Sequence, residues 1–545
     1  MDLWHTLGLT APKLPTPADH CMNLQVEVTL DEVKITGSWT LTVWEWQWVE
    51  INELTPDRSK VQSKMQFPVS RVLRGETQGT TVWLVLRYGQ KLEIIAEEKK
   101  IKDLLSRIMV SNKAQNFASC NLRCFFPCKL EYGKIREELL TSYLDNMNKC
   151  CKLERYRNYF LANFEEFELI NILPKTYPPE ILLAKGEAGM VEKFSSLFQY
   201  ERIPIASGAF TFDDSCLSKS KQRSPNAIIS VWRSSQLNGT LTYKNADCIS
   251  SWCNEVLALA DTDKPLLVLD CRARKSLITA SLQRKEIFLE KGALENIEVQ
   301  MLGLPELEQI SRVAAEMSNQ ANGEGNSLEG LVSWMEIVAR YLEAACRGAA
   351  AVDSGQPIWV MCNEGMDRTA VLSALICLIK DPWLRTEKGF LALVQVEWID
   401  CGFKFLSRQK YAETTEAGSP VFLLFLDCVY QLTCQFPRSF TFSSSFLSII
   451  AKAWIENCFV EFAFDSNEEY VKQLRNGVGS WLSIFAFIIS KSLDENLYQD
   501  QKSANIMEIS QVISHNLPLP LGEIDTNTLA MRYWEEVYGP SLHPY

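Results

Sequence analysis

One short segment constrains the fold of this chain more than any other, because it joins a buried strand, a tight loop and a helix. It reads Pro357-Ile-Trp-Val-Met-Cys-Asn-Glu-Gly-Met-Asp-Arg-Thr369, and the apolar run Arg368–Lys380 continues with helical character. A short strand at Lys264–Asp270 and an amphipathic helix at Leu328–Arg347 repeat the alternation. Strands that alternate with helices predict an α/β domain with a central sheet and helices on both faces.

The cysteine and arginine of this segment suit thiol-dependent cleavage of a phosphate ester. Backbone N–H groups of the loop and the helix N-terminus would converge on a tetrahedral anion. The same field favours the thiolate, so Cys362 would need no general base. Arg368 would clamp two phosphate oxygens, and Thr369 would donate its hydroxyl to the sulfur as the sulfur becomes the leaving group. The segment therefore predicts a phosphatase-type site, with a buried structural cysteine as the alternative.

Histidine and net charge exclude several other functions. The only four histidines lie near the chain ends, at His5, His20, His515 and His543. A Cys–His protease or a Ser–His–Asp hydrolase in the middle of the chain therefore lacks a candidate base. The net charge of −12 argues against a broad nucleic-acid-binding surface, so no nucleic-acid partner is expected.

Cysteine usage predicts a reducing compartment. The chain has 17 cysteines, and Met1–His20 lacks the apolar stretch of a secretory signal, so a cytoplasmic location is expected. Cys120, Cys124 and Cys128 recur every four residues but have no second Cys or His pair nearby, so neither a metal nor a cofactor is predicted. The Cys-x5-Arg spacing alone is weak evidence, since Cys151–Arg157 also has it without a glycine or a preceding strand.

The N-terminal region is β-rich. Three runs carry β-branched and aromatic residues in near-alternating order: Cys21–Leu30, Trp39–Trp48 and Thr81–Tyr88. Gly89 suits a hairpin, and Glu97–Val110 has the spacing of one amphipathic helix. These patterns predict a small binding domain at residues 1–115 and a larger domain at 130–540, which carries an exposed loop at Ser207–Asn226.

The loop Cys362–Thr369 resembles the signature loop of the myotubularin family, normally His-Cys-Ser-Asp-Gly-Trp-Asp-Arg-Thr. Further segments resemble family motifs in the same order: Val231–Gly239, Leu269–Arg272, Trp398–Arg408, Ser419–Val429 and Gln435–Pro437. The resemblance implies an α/β phosphatase domain with a Cys-x5-Arg loop, preceded by a small β-rich PH-GRAM-like domain.

The resemblance also implies a function. It implies a 3-phosphatase for phosphatidylinositol 3-phosphate and phosphatidylinositol 3,5-bisphosphate that works through a cysteinyl-phosphate intermediate. Cys362 would attack, Arg368 would hold the phosphate, and Asp367 would protonate the leaving oxygen. The implied substrate-binding residues are Asn363, Glu364, Gly365, Met366, Thr369, Lys404 and Arg408. A solvated surface charge remains the alternative for Lys404.

The implied surroundings are a membrane and a related protein. The expected partners are a phosphoinositide headgroup on a membrane surface and another myotubularin-family protein. The expected location is cytoplasmic, with peripheral association with endosomal membranes.

Several positions depart from the family pattern. Met361 replaces histidine, Asn363 serine, Glu364 aspartate and Met366 tryptophan. Ser276 and Glu306 stand where active relatives keep asparagines near the headgroup. Two hypotheses follow: an active lipid phosphatase, favoured by the retained Cys362 and Arg368, or a weak or inactive relative that regulates an active myotubularin. A protein-tyrosine phosphatase is disfavoured, because the motifs outside the loop resemble those of lipid enzymes.

Overall fold

A computed structural model describes the chain in segments. They are the strands and one turn between residues 22 and 95, and residues 167–171, 177, 180–184, 191–211, 227–238, 243–272, 296–321, 328–409, 419–456, 459–470, 484–485, 488 and 519–538. Within these segments no helix has the length and apolar character needed to span a bilayer.

The N-terminal strands form one seven-stranded antiparallel sheet with the order β4-β3-β2-β1-β7-β6-β5. Their bounds are β1 Met22–Leu30, β2 Val33–Leu41, β3 Val49–Ile51, β4 Ser63–Met65, β5 Val72–Gln78, β6 Thr81–Leu86 and β7 Lys91–Ile95. The β-rich prediction for this region is confirmed, although β2 starts before the predicted Trp39. Thr42–Trp48, Gly89 and the predicted helix Glu97–Val110 lie outside the described residues. The PH-GRAM resemblance and the domain bounds stay predictions.

A five-stranded mixed sheet forms the centre of the second region. Its strands are β10 Ile205–Thr211, β11 Ile228–Ser235, β12 Leu266–Asp270, β13 Ile297–Met301 and β14 Ile358–Cys362, after a separate hairpin of β8 Phe167–Asn171 and β9 Glu180–Ala184. The order is β10-β11-β14-β12-β13, in which only β10 runs antiparallel to its neighbour. The central β14 therefore ends beside the carboxyl ends of β11 and β12.

Helices cover both faces of this sheet. They are α1 Val191–Ser195, α2 Tyr243–Leu259, α3 Leu307–Ala321, α4 Leu328–Asp353, α5 Arg368–Lys380, α6 Glu387–Val394, α7 Phe405–Arg408, α8 Val421–Gln435, α9 Ser444–Glu456 and α10 Glu535–Tyr538, with a π-helical segment at Gln395–Asp400. On one face, Trp252 of α2 meets Trp232 and Trp359 edge-on, with ring centroids 5.4 and 5.2 Å away. On the other face α5 packs against β10, β11 and β14.

The predicted strand and helices around the Cys-x5-Arg segment are confirmed. Every residue of β14 is buried, and so are residues 368–378 of α5, which explains why both read as uninterrupted apolar runs. The predicted amphipathic helix begins at Leu328 as expected and continues beyond Arg347 to Asp353. An α/β domain with a flanked sheet is therefore the observed architecture.

The prediction of an exposed loop from Ser207 was wrong for its first five residues. They lie in β10, where Ser207 and Ala209 are buried. A Cβ atom on Gly208 would lie 2.8 Å from the Cys377 sulfur, so the small residues allow β10 to approach α5 closely. Small and polar residues here reflect close packing rather than solvation. Residues 212–226 lie outside the described part.

Candidate active site

The loop between β14 and α5 makes its tightest bend at Gly365, whose φ is +67°. A Cβ atom at this position would lie 2.6 Å from the backbone oxygen of Ser234 in β11. Both the positive φ and the close approach require glycine. The loop is therefore pressed against the end of β11, where Ser235 is the register partner of Cys362.

Two fully buried arginines fix the position of the loop through hydrogen bonds to its backbone. The Gly365 carbonyl oxygen accepts hydrogen bonds from Arg233 Nη2 at 2.9 Å and from Arg202 Nη2 at 3.1 Å. Arg233 Nη1 also pairs with Glu397 Oε2 at 2.8 Å. The C=O of Gly365 and the N–H of Met366 belong to one trans peptide and point in opposite directions. The two hydrogen bonds to the Gly365 oxygen therefore orient the N–H of Met366 away from the arginines. The sequence gives no signal for Arg202, whereas Arg233 belongs to a motif already noted.

Cys362 and Arg368 lie buried at the two ends of the loop, 3% and 7% exposed. Arg368 Nη2 lies 3.5 Å from Asn363 Oδ1, while its Nη1 has no hydrogen-bond partner within the described residues. Burial opposes the charge of Arg368, but the surrounding acidic groups, with Cys362 first among them, together offset this and raise its pKa. A buried guanidinium with an unused donor beside a thiol is suited to binding an oxyanion.

Two hydroxyl groups near this arginine are also unpaired. Thr369 Oγ1 and Tyr341 Oη are buried and make no hydrogen bond within the described part of the chain. Thr369 therefore does not donate to the Cys362 sulfur in this structure, and donation to the sulfur as it becomes the leaving group stays a prediction. The sequence did not single out Tyr341, which lies in the middle of α4 and reads as an ordinary core residue.

Asp367 forms a buried, bidentate ion pair with Arg408 of α7. Arg408 Nε donates to Oδ1 at 2.7 Å, and Nη2 donates to Oδ2 at 2.9 Å. Burial opposes the charge of Arg408, but Asp367 more than offsets this and raises the pKa of the arginine. Arg408 thus contacts the loop at Asp367, and its role in substrate binding stays a prediction. Proton donation by Asp367 would require this pair to open.

Lys404, which precedes α7, pairs with the loop residue Glu364. Nζ lies 3.2 Å from Oε2, and the two side chains are 34% and 31% exposed. Tyr200 Oη donates to the other carboxylate oxygen, Oε1, at 3.5 Å. Lys404 is therefore neither a free surface charge nor an unpaired cation facing the loop. The sequence showed no sign of Tyr200, because its chain segment is 164 residues away from Glu364.

Hydrogen bonds and an ion pair connect the carboxyl ends of β11, β12 and β14 beside the loop. Arg272 pairs with Asp270 through Nη2 and Oδ2 at 2.7 Å, and its Nη1 donates to Gln236 Oε1 at 2.7 Å. Asp270 of β12 is the register partner of Met361 of β14. Cys271 is the next residue after Asp270, and its N–H donates to the Met361 oxygen. Burial raises the pKa of Cys271 well above its usual value.

The other positions singled out in the sequence are buried, exposed or outside the described residues. Met366 is 3% exposed and Met361 is 2% exposed, so both are part of the packed interior. Glu306 is exposed at the start of α3. Ser276, the cysteines at 120, 124 and 128, and the second Cys-x5-Arg match at 151–157 lie outside the described residues.

A family profile of the myotubularin-like phosphatase domain matches residues 154–471. The chain is 37% identical over 161 residues to the phosphatidylinositol-3,5-bisphosphate 3-phosphatase MTMR4 of Xenopus laevis. This alignment covers 28% of this chain and 15% of that protein. It is 35% identical over 149 residues to myotubularin-related protein 10-A of Xenopus laevis, covering 27% and 19%. It is 31% identical over 209 residues to myotubularin-related protein 10 of Mus musculus, covering 38% and 27%. The alignments thus span well under half of each relative's length.

Proposed function

Since the chain belongs to the myotubularin family, we propose that it is a phosphoinositide 3-phosphatase acting on phosphatidylinositol 3-phosphate and phosphatidylinositol 3,5-bisphosphate. The observation that carries this proposal is the pairing of a buried Cys362 at a strand end with a buried Arg368 whose Nη1 is unpartnered in the described structure. The unused Nη1 donor of a buried guanidinium next to the cysteine is available to an anionic ligand.

In the proposed reaction the Cys362 thiolate attacks the phosphorus of the 3-phosphate. The S–P bond forms as the P–O bond to the inositol breaks, and the leaving oxygen takes a proton from Asp367. Arg368 and the loop N–H groups stabilise the equatorial oxygens. Water then hydrolyses the cysteinyl phosphate, which releases inorganic phosphate and restores the thiolate. Asp367 would first have to leave its ion pair with Arg408 and take up a proton.

The test is phosphate release from soluble short-chain phosphatidylinositol 3-phosphate by the purified chain and by its Cys362→Ser variant. We expect release by the parent and loss of turnover in the variant, because a serine hydroxyl is not ionised at this site. Cys271→Ser is the matched control, since Cys271 lies beside Cys362 but is not assigned the attack. Equal release by the parent and by Cys362→Ser would reject the nucleophile. A phosphotyrosine peptide as a second substrate tests the protein-phosphatase alternative.

A second candidate function is supported by the ion pairs on the loop. Asp367 is engaged by Arg408 and Glu364 by Lys404, an arrangement that suits a closed, weakly active relative regulating an active myotubularin. Glu364→Asp with Met366→Trp would restore the family pattern at two positions. Under the first function this variant gains turnover, whereas under the second it folds, binds lipid and still releases no phosphate.

The proposed setting follows from the substrate. A lipid headgroup places the chain at a membrane surface, and endosomal membranes are the proposed location. Another myotubularin-family protein is the proposed protein partner. Co-flotation with vesicles that contain phosphatidylinositol 3-phosphate, compared with vesicles that lack it, tests the first of these proposals.

A further inference from the structure

Within the described residues, five cations make a hydrogen bond or an ion pair to a residue of the loop, and they differ in what already neutralises them. They are Arg202, Arg233, Arg368, Lys404 and Arg408. Three of them have a carboxylate partner within the described residues: Arg233 has Glu397, Lys404 has Glu364 and Arg408 has Asp367. Arg202 is fully buried and donates to backbone oxygens behind the loop.

Arg368 is the remaining cation, and within the described residues it has no ion pair with a carboxylate and its Nη1 makes no hydrogen bond. Arg233 Nε is also unpartnered within these residues, but Arg233 already pairs with Glu397 behind the loop. Arg368 therefore matches one phosphate group. A second phosphate on the same ring would need a second cation on the outer side of the loop. Lys404 and Glu364 are the partly exposed charged pair there, and Lys404 is already neutralised.

The Glu364 carboxylate is held at both oxygens. Lys404 Nζ contacts Oε2 at 3.2 Å, and Tyr200 Oη donates to Oε1 at 3.5 Å. Tyr200 and Glu201 both adopt positive φ, at 54° and 57°, which side chains other than glycine seldom adopt. Ser235 Oγ donates to the Gln199 oxygen at 2.7 Å and so fixes this turn to the end of β11. A strained turn thereby places a hydroxyl against a loop carboxylate.

We infer that Glu364 is a specificity-determining residue, an internal carboxylate that occupies Lys404 and makes the site select a headgroup with one phosphate over one with two. The inference rests on the proposed function and deepens it. A bisphosphate must displace Glu364 from Lys404 and also meet its negative charge, whereas a monophosphate needs only the loop and Arg368. Tyr200 is a positioning residue that keeps the carboxylate turned toward Lys404.

The experiment measures ligand binding, so that it does not depend on turnover. The protein carries Cys362→Ser, and calorimetry records the affinities for short-chain phosphatidylinositol 3-phosphate, the 3,5-bisphosphate and inorganic phosphate. We expect the parent to bind the bisphosphate more weakly than the monophosphate, by about threefold or more, because the second phosphate meets the Glu364 carboxylate. Glu364→Gln should strengthen bisphosphate binding about tenfold, because it frees Lys404, and should change monophosphate binding by less than about threefold.

Three control variants test whether the change in affinity comes from the pairing of Glu364 with Lys404. Adding Lys404→Met to Glu364→Gln should remove the gain, since no cation is then released. Glu255→Gln, which changes an exposed carboxylate on α2, should leave all three affinities unchanged. Tyr200→Phe should shift bisphosphate binding in the same direction as Glu364→Gln but less.

The outcomes separate this inference from the proposed function. If the parent binds the bisphosphate as tightly as the monophosphate or more tightly, or if Glu364→Gln leaves the bisphosphate affinity unchanged, the inference is overturned while the phosphatase proposal stands. A gain with Glu364→Gln that survives Lys404→Met also overturns it. If no variant binds either lipid or inorganic phosphate, both proposals fall together.

Discussion

At Arg368 the proposed anion site depends on the shape of one side chain as well as on its charge. Its guanidinium is buried at the first position of α5, with Nη2 toward Asn363 and Nη1 unpartnered in the described structure. Cys362 helps to raise its pKa despite the burial, so the charge is retained. A planar fork can contact two oxygens of one phosphate, which an ammonium group cannot do in the same geometry.

Arg368→Lys should therefore lower turnover by two or more orders of magnitude although it keeps the charge, in line with about 10²–10³ for loss of one oxyanion donor. Steady-state phosphate release at saturating substrate is the measurement. Lys388→Arg on α6 is the matched control, because it exchanges a lysine and an arginine at a position outside the loop. A lysine variant with near-parental kcat would mean that Arg368 does not clamp phosphate.

At the scale of elements, the loop is held by a buried ion pair between β11 and the π-helical segment. Arg233 and Glu397 are 0% and 1% exposed at their side chains, and Ser373 of α5 also donates to Glu397 Oε2 at 2.7 Å. Arg233 contacts Gly365 as well. One arginine thus stabilises the packing between elements and the position of the loop.

Arg233→Met should destabilise the fold by about 3–5 kcal/mol, because it leaves the Glu397 charge buried without its partner. Arg233→Met with Glu397→Met should recover a large part of that loss. The double variant should still have low activity, since the Gly365 oxygen keeps only the hydrogen bond from Arg202. Urea unfolding followed by tryptophan fluorescence gives the first two values. A double variant as unstable as the single one would contradict this account.

The junction between α5 and the next turn predicts a pH effect on stability. Asp381 Oδ1 accepts a hydrogen bond from the Trp383 N–H at 2.8 Å, and burial raises the pKa of Asp381 from 3.8 to about 6. The folded state therefore binds this proton more tightly than the unfolded state. The contribution of Asp381 to the free energy of unfolding is highest below pH 3.8 and falls as the pH rises through about 6.

Asp381→Asn keeps a capping oxygen and removes the titration. We expect the variant to gain stability relative to the parent as the pH rises from 4 to 7. The difference between the two free energies of unfolding, measured at several pH values in that window, is the readout. A constant difference across the window would reject the role of Asp381.

At the scale of the whole molecule, a C-terminal segment beyond the matched family region closes part of the core. Trp534 is fully buried and stacks on Tyr430 of α8, with ring centroids 4.9 Å apart. Asp427 Oδ2 accepts hydrogen bonds from Tyr538 at 2.7 Å and from Trp334 at 2.8 Å. The buried carboxylate thus joins α4, α8 and α10.

Tyr538→Phe should cost about 1–3 kcal/mol, because it removes one donor from a buried carboxylate. Thermal unfolding of the full chain measures the loss, and the pattern of lipid binding should stay unchanged. Leu529→Ala, at a side chain that is 93% exposed, is the control and should be neutral. A Tyr538→Phe protein as stable as the parent would show that the segment is held by other contacts.

The sequence by itself determined the strand, loop and helix around Cys362, because the uninterrupted apolar runs before and after the loop are local features of residue type. It also placed Arg368 and Asp367 in that loop. Only the tertiary structure decided which charges pair. Asp367 and Arg408 are 41 residues apart, Glu364 and Lys404 are 40 apart, and Arg202 reaches Gly365 across 163 residues. The physical reason is that a charged side chain takes its partner from whichever element packing brings alongside, so periodicity and motif spacing carry no information about it.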